Sequence, residues 1–149
     1  MRSYLAVAAL LGVALVACDD DDEDFVGPEL TTLTATMTGA LEVPGPGDAD
    51  GAGTVEITLD DDSNEVCWDI DVTNLTLPAV AAHIHTGATG VSGDPVVTLT
   101  PPDATGGVTG CVDASDDVVD DIIANPSGFY VNVHTSDFTD GAIRGQLAD

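Results

Sequence analysis

Three histidines, His83, His85 and His134, are the only imidazoles in the chain, and two of them stand two residues apart in His83-Ile84-His85. Side chains alternate faces along a strand, so in an extended segment these two rings share one face and Ile84 takes the other. Imidazole suits both copper and zinc, and ligands spaced this way can converge on one ion. His134 falls in Tyr130-Val131-Asn132-Val133-His134-Thr135, where the two valines mark an aliphatic face and Tyr130, Asn132 and His134 the opposite one. Further on, Ile143 and Leu147 mark the apolar face opposite Arg144 and Gln146. If the segment Ala81 to Thr86 lies beside these two late strands, one polar patch collects all three histidines with Asn132, Arg144 and Gln146. A mononuclear copper or zinc site would then use His83, His85 and His134, with water completing the coordination. The same side chains could instead hydrogen-bond across a semi-buried polar seam, and the sequence leaves both readings open. Glu42 and Arg144 are the next residues of interest, with structural pairing as the default role for each.

Other chemistry finds little support. G-x-S-x-G, P-loop, H-E-x-x-H and paired C-x-x-C patterns are absent, and no recognised motif sets a Ser or Cys beside a His. The expectation is a non-enzymatic protein. Asp48-Ala49-Asp50-Gly51 has no glutamate at calcium-loop spacing after it and reads as a turn.

Short runs of Val, Ile and Thr punctuated by Gly, Pro, Asn and Asp must position these residues, and that pattern is one of many short strands. Leu33, Ala35 and Met37 alternate with threonines; Val55, Ile57 and Leu59 alternate with Thr54, Glu56 and Thr58; Val66, Trp68, Ile70 and Val72 alternate with Cys67, Asp69 and Asp71. The last two runs flank Asp60-Asp61-Asp62-Ser63-Asn64 and read as a hairpin. Further strands are expected at 81–86, 95–99, 107–112, 128–135 and 142–147, the last two joined by a short loop. One helix is expected from Ser115 to Ala124, with Ser115 as its cap. About eight strands at this spacing predict an all-β, antiparallel sandwich or Greek-key barrel.

The chain carries 27 Asp and Glu against two Lys and Arg, a formal net charge of −25. Nucleic acid and anionic membrane surfaces both need positive charge and are excluded as electrostatic partners; the charge permits a cation, a basic protein, or a salty habitat in which an acidic surface keeps the protein soluble, and the last is the reading favoured by composition. The apolar run from Leu5 to Ala17 is too short to span a bilayer and reads as a signal peptide over residues 1–17. It ends on Leu15-Val16-Ala17-Cys18, which resembles the bacterial lipobox and implies lipidation of Cys18. The acidic stretch after it repels itself and suits a tether over residues 18–29. The expected location is therefore the bacterial cell envelope, lipid-anchored, on the periplasmic side or the cell surface. Cys67 and Cys111 would share an oxidising compartment, where two thiols usually pair, although spacing alone does not bring their Cα atoms within reach.

Four segments, Leu41-Glu42-Val43-Pro44, Ala82-His83-Ile84-His85-Thr86-Gly87, Tyr130 to Thr135 and Gly141-Ala142-Ile143-Arg144-Gly145-Gln146-Leu147, occur in that order. Together they resemble the pattern of the CHRD domain, the module named after the vertebrate protein chordin, over about Leu30 to Asp149. Two departures stand out: Gly45 intervenes before Pro46, and Ala142 replaces an acidic residue, removing a carboxylate partner for Arg144. The resemblance implies an extracellular β domain over residues 30–149. His83-Ile84-His85 is also similar to the copper-binding strand of copper-zinc superoxide dismutases, but three histidines are too few for that dinuclear site. The function expected is an exported, membrane-tethered CHRD-like module for binding or envelope organisation; the alternative is a mononuclear copper- or zinc-binding protein using the three histidines.

Overall fold

The computed structural model describes residues 29–149. The expected signal peptide over residues 1–17, the expected lipidation at Cys18 and all of the expected tether but Glu29 fall outside the described residues. Eight strands follow in order: β1 (Leu30–Thr38), β2 (Ala52–Asp60), β3 (Glu65–Thr73), β4 (Ala81–Thr86), β5 (Pro95–Leu99), β6 (Gly107–Asp113), β7 (Phe129–His134) and β8 (Ile143–Gln146). One helix, α1 (Asp116–Ala124), sits between β6 and β7. All strands pair antiparallel in a single sheet of order β5-β4-β7-β8-β1-β2-β3-β6. The terminal strands β5 and β6 approach each other, so the sheet is nearly closed.

Period-two alternation explains the curl. Leu33, Met37, Ile57, Leu59, Val66 and Ile70 are fully buried, and the residues that alternate with this inward set on β1, β2 and β3, such as Thr34, Thr36, Thr58, Cys67 and Asp69, are half-buried or exposed. A sheet with one aliphatic face lowers its free energy by wrapping that face inward, at roughly 1.5–3 kcal/mol for each Val, Leu or Ile side chain removed from water. Helix α1 adds Val119 and Ile122 to the same core. Ser115 holds the cap position, but its side chain makes no capping hydrogen bond. Asp116 and Asp117 in the first turn supply the favourable charge at that end instead.

Two local features hold the β3–β6 edge. Trp68 faces Gly110 across the ladder, and a Cβ at Gly110 would stand 2.5 Å from the indole Cζ2, so only glycine leaves room for the ring. One register pair along, Cys67 lies opposite Cys111 with a Cα–Cα distance of 4.0 Å and the two are joined by a disulfide. The pairing expected of two exported thiols is thus supplied by strand register.

The far end of the sheet differs from simple half-buried alternation. On β7 every residue from Phe129 to Val133 is buried, polar face included. Loops roof that face: the β4–β5 connection lays Gly87, Ala88 and Gly93 over it, and the β1–β2 connection brings Glu42 and Gly47 against Gly141 and Ala142.

Candidate metal centre

Strand register assembles the polar patch. Across β4 and β7, Ala81 pairs with His134, His83 with Asn132 and His85 with Tyr130; across β7 and β8, Asn132 pairs with Arg144 and Tyr130 with Gln146. The adjacency of β4 to the late hairpin, which the sequence reading required, is therefore present. A bulge between Ile84 and His85 disturbs only the β5 side of β4.

The three imidazoles converge. Ring centroids of His83 lie 5.3 Å from both His85 and His134, and those of His85 and His134 lie 6.5 Å apart. Each residue offers one nitrogen such that all three fall within 4.8 Å of one another. That spacing suits bonds of about 2.0–2.1 Å to one central ion.

Backbone carbonyls fix which nitrogens are free. His134 Nδ1 lies 3.0 Å from the Thr139 carbonyl and His85 Nδ1 lies 2.9 Å from that of Gly93. A carbonyl can only accept, so each Nδ1 carries the proton and each Nε2 presents a lone pair. His85 Nε2 is buried with no hydrogen-bond partner. His134 Nε2 lies 3.1 Å from Asn132 Oδ1 and 3.4 Å from His83 Nδ1. A lone pair facing an amide oxygen is repulsive; turning the amide end for end, or placing a cation at Nε2, relieves it. Burial pushes the His83 and His134 rings below the usual histidine range, and neighbouring histidine charge adds to the shift in both. Both rings are thus neutral at pH 7 and available as ligands.

The remaining patch residues form a train leading away from the rings. Tyr130 stacks on His85, with centroids 4.9 Å apart and planes 8° from parallel. Since β7 lies between β4 and β8, Arg144 meets Tyr130 from the other side, its Cζ 3.4 Å from the ring centroid. Arg144 is 2% exposed, donates from Nη2 to the Ala88 carbonyl at 3.0 Å, and leaves Nη1 without a partner. Gln146 is structural: its amide nitrogen donates to the carbonyls of Gly87, Ser127 and Phe129, clamping the roof.

Glu42 completes the train. It is 5% exposed, and its carboxyl lies so close under Gly141 that a Cβ there would meet it at 2.5 Å. Desolvation raises its pKa to about 7, against the opposing pull of the Arg144 charge. Ala142, where an acid is missing from the expected ending, is wholly buried. The carboxylate acting on Arg144 comes instead from Glu42, over 100 positions earlier in the chain.

Gly141 and the carbonyls of Gly93 and Thr139 were given no role by the sequence reading, and Tyr130 was placed on the polar face but left out of the patch. Strand parity is what set Tyr130 beside Asn132 and His134; the carbonyls carry no side-chain signal. A second group, Glu65, Cys67 and Cys111, has ligand-like spacing, but its sulfurs are committed to the disulfide.

A family model described as the CHRD domain matches residues 33–147. Searches of the curated proteins and of the solved structures gave no match.

Proposed function

As this chain belongs to the CHRD domain family, a family that suggests an extracellular binding role, we propose that it is an envelope-tethered binding module whose ligand is a single copper or zinc ion. One observation carries the reading: three imidazoles converge within 4.8 Å, with the Nδ1 atoms of His85 and His134 turned to carbonyls and His85 Nε2 left bare in a buried setting. Orienting ligand rings through the second nitrogen is how protein metal sites fix tautomer and direction. A purely structural seam would pair that buried nitrogen, because an unpaired buried polar atom costs about 1–3 kcal/mol.

Three neutral nitrogens suit copper and zinc, and the usual divalent order favours copper. The strongly acidic chain attracts cations from a distance. Lipidation at Cys18 and an extended acidic tether would hold the domain at the membrane; the lipobox-like Leu15-Val16-Ala17-Cys18 supports that part. No reaction is part of this proposal.

The test is metal analysis of protein purified without a histidine tag, followed by copper titration monitored by electron paramagnetic resonance. A one-to-one signal with nitrogen hyperfine structure is expected. Protein that binds copper only through oxygen ligands would leave a CHRD module for protein binding or envelope organisation.

A further inference from the structure

Glu42, Arg144 and Tyr130 form a buried polar train that holding a metal ion does not by itself require. Within residues 29–149 Arg144 is the sole Lys or Arg. In so acidic a chain its ordinary place would be the surface, yet it is 2% exposed and sits over the ring of the tyrosine that stacks on His85. A buried cation this near the histidines opposes a second cation arriving there, and low-dielectric surroundings sharpen the effect.

Resting on the metal reading above, we propose that Glu42 is the proton-linked control of the histidine site: as a carboxylate it neutralises Arg144 and favours the ion, and as a neutral acid it leaves the Arg144 charge to oppose it. Two physical paths join Glu42 to the ligands. One runs through Arg144 and Tyr130 to His85. The other runs through Gly141, seated on the carboxyl, along the β7–β8 loop to Thr139, whose carbonyl orients His134.

The groups around Glu42 leave Arg144 as the charge that acts on it. Arg144 faces it from β8, with the Tyr130 phenol of β7 beyond. From the β1–β2 and β7–β8 loops the contacts are Gly47 and Gly141, which bring no charge. Asp137 and Asp140 of the latter loop are exposed to solvent. Burial sets the Glu42 titration near 7, above the lowered range of His83 and His134. Above pH 6.5 the His83 and His134 rings are mainly neutral, and Glu42 adds a charge change of its own. Metal binding and Glu42 ionisation then favour each other, so affinity falls as pH drops through 7.

The experiment measures zinc affinity of the full-length protein from pH 6 to 8 by chelator competition, with histidine ring resonances reporting occupancy of this site rather than of the acidic run. Wild type and Glu42→Gln should bind alike at pH 6, where both carry a neutral side chain. At pH 8 wild type should bind about tenfold more tightly, within the usual span of coupling between sites. Curves that stay parallel across the range overturn the control role while leaving the metal site intact. Wild type that fails to bind at the histidines removes the metal reading and this inference with it. A second measurement needs no variant: by reciprocity, zinc should lower the Glu42 carboxyl titration, followed by its carbon-13 resonance, by about one unit for a tenfold coupling. An unmoved titration also overturns the proposal.

Discussion

His83 and His134 are 51 residues apart in the chain, yet Nδ1 of the first lies 3.4 Å from Nε2 of the second. Pairing of β4 with β7 sets them on one face, and Thr139 turns the His134 ring so that its free nitrogen points inward. His134→Ala should therefore remove one of three ligands and abolish the one-to-one copper signal. The loss should exceed the roughly 10–100-fold typical of outer-shell changes. Asp61→Ala, on the exposed β2–β3 turn, should bind as wild type does. Equal copper binding by both variants would leave the histidines as a hydrogen-bonded seam.

The Cys67–Cys111 bond closes a span of 44 residues and ties β6, an edge strand, to β3. Replacing both cysteines with serine should lower unfolding free energy by roughly 2–4 kcal/mol, read as a lower urea midpoint, with a steeper slope as the unbridged unfolded chain exposes more surface. Copper binding at the far side of the sheet should survive. A midpoint equal to that of wild type would mean that strand pairing alone holds the edge.

Strand parity made most of this fold legible. Alternation in β1, β2 and β3 assigns the inward residues correctly, from Leu33 to Val72. The same rule places His83, His85 and His134 on a common polar face, and the site followed once β4 was set beside β7. What parity cannot reveal is what covers a polar face. Tyr130 and Asn132 alternate with valines as though facing water, but each is 3% exposed, and the β4–β5 connection lies over this face through Ala88 and Gly93. Those contacts are made through glycine backbone and carbonyl groups, which carry no residue-type signal. Glu42 and Arg144 were grouped in the polar patch from the sequence, but that the charge of each acts on the other depends on how the β1–β2 loop folds back, a long-range arrangement with no local periodicity.

Gly141 has φ +140° and sits directly on the Glu42 carboxyl, whereas Gly90, at φ +80°, has open space where a Cβ would go. Both substitutions to alanine carry backbone strain of about 1–3 kcal/mol. Only Gly141→Ala adds a collision in a buried site, so it should cost at least about 1 kcal/mol more than Gly90→Ala. Thermal or urea unfolding of the pair checks this. Equal losses would show that Glu42 moves aside freely, and would weaken the loop path from Glu42 to His134.

Lipidation is expected at Cys18, on the strength of Leu15-Val16-Ala17-Cys18. Wild type expressed in a bacterial host should enter the detergent phase on partition, and Cys18→Ser should move to the aqueous phase. If both partition alike, the anchor is wrong, and the domain is either released or held by other means.

Glu42 should also leave a signature in the stability of the metal-free protein. Its carboxyl titrates near 7 in the folded state, against an ordinary value of 4.5, because burial disfavours the charge. Below 4.5 both folded and unfolded chains hold the proton, and the stabilisation from this group is complete. Between 4.5 and 7 the unfolded chain has lost its proton while the folded one keeps it, so stability falls as pH rises and the contribution is gone above about 7. His83 and His134 slope the other way. Their lowered values make stability complete above the ordinary 6.5 and lost as pH falls below it. The wild-type profile mixes these opposing trends, and Glu42→Gln separates them, because glutamine stays neutral throughout. Measured by urea unfolding with chelator present, the stability of Glu42→Gln relative to wild type should increase from pH 4.5 to 7, by on the order of 2 kcal/mol, and then level off. A difference that stays constant over that range would place the Glu42 titration at the same pH folded and unfolded, and would remove the buried acid on which control of the histidine site depends.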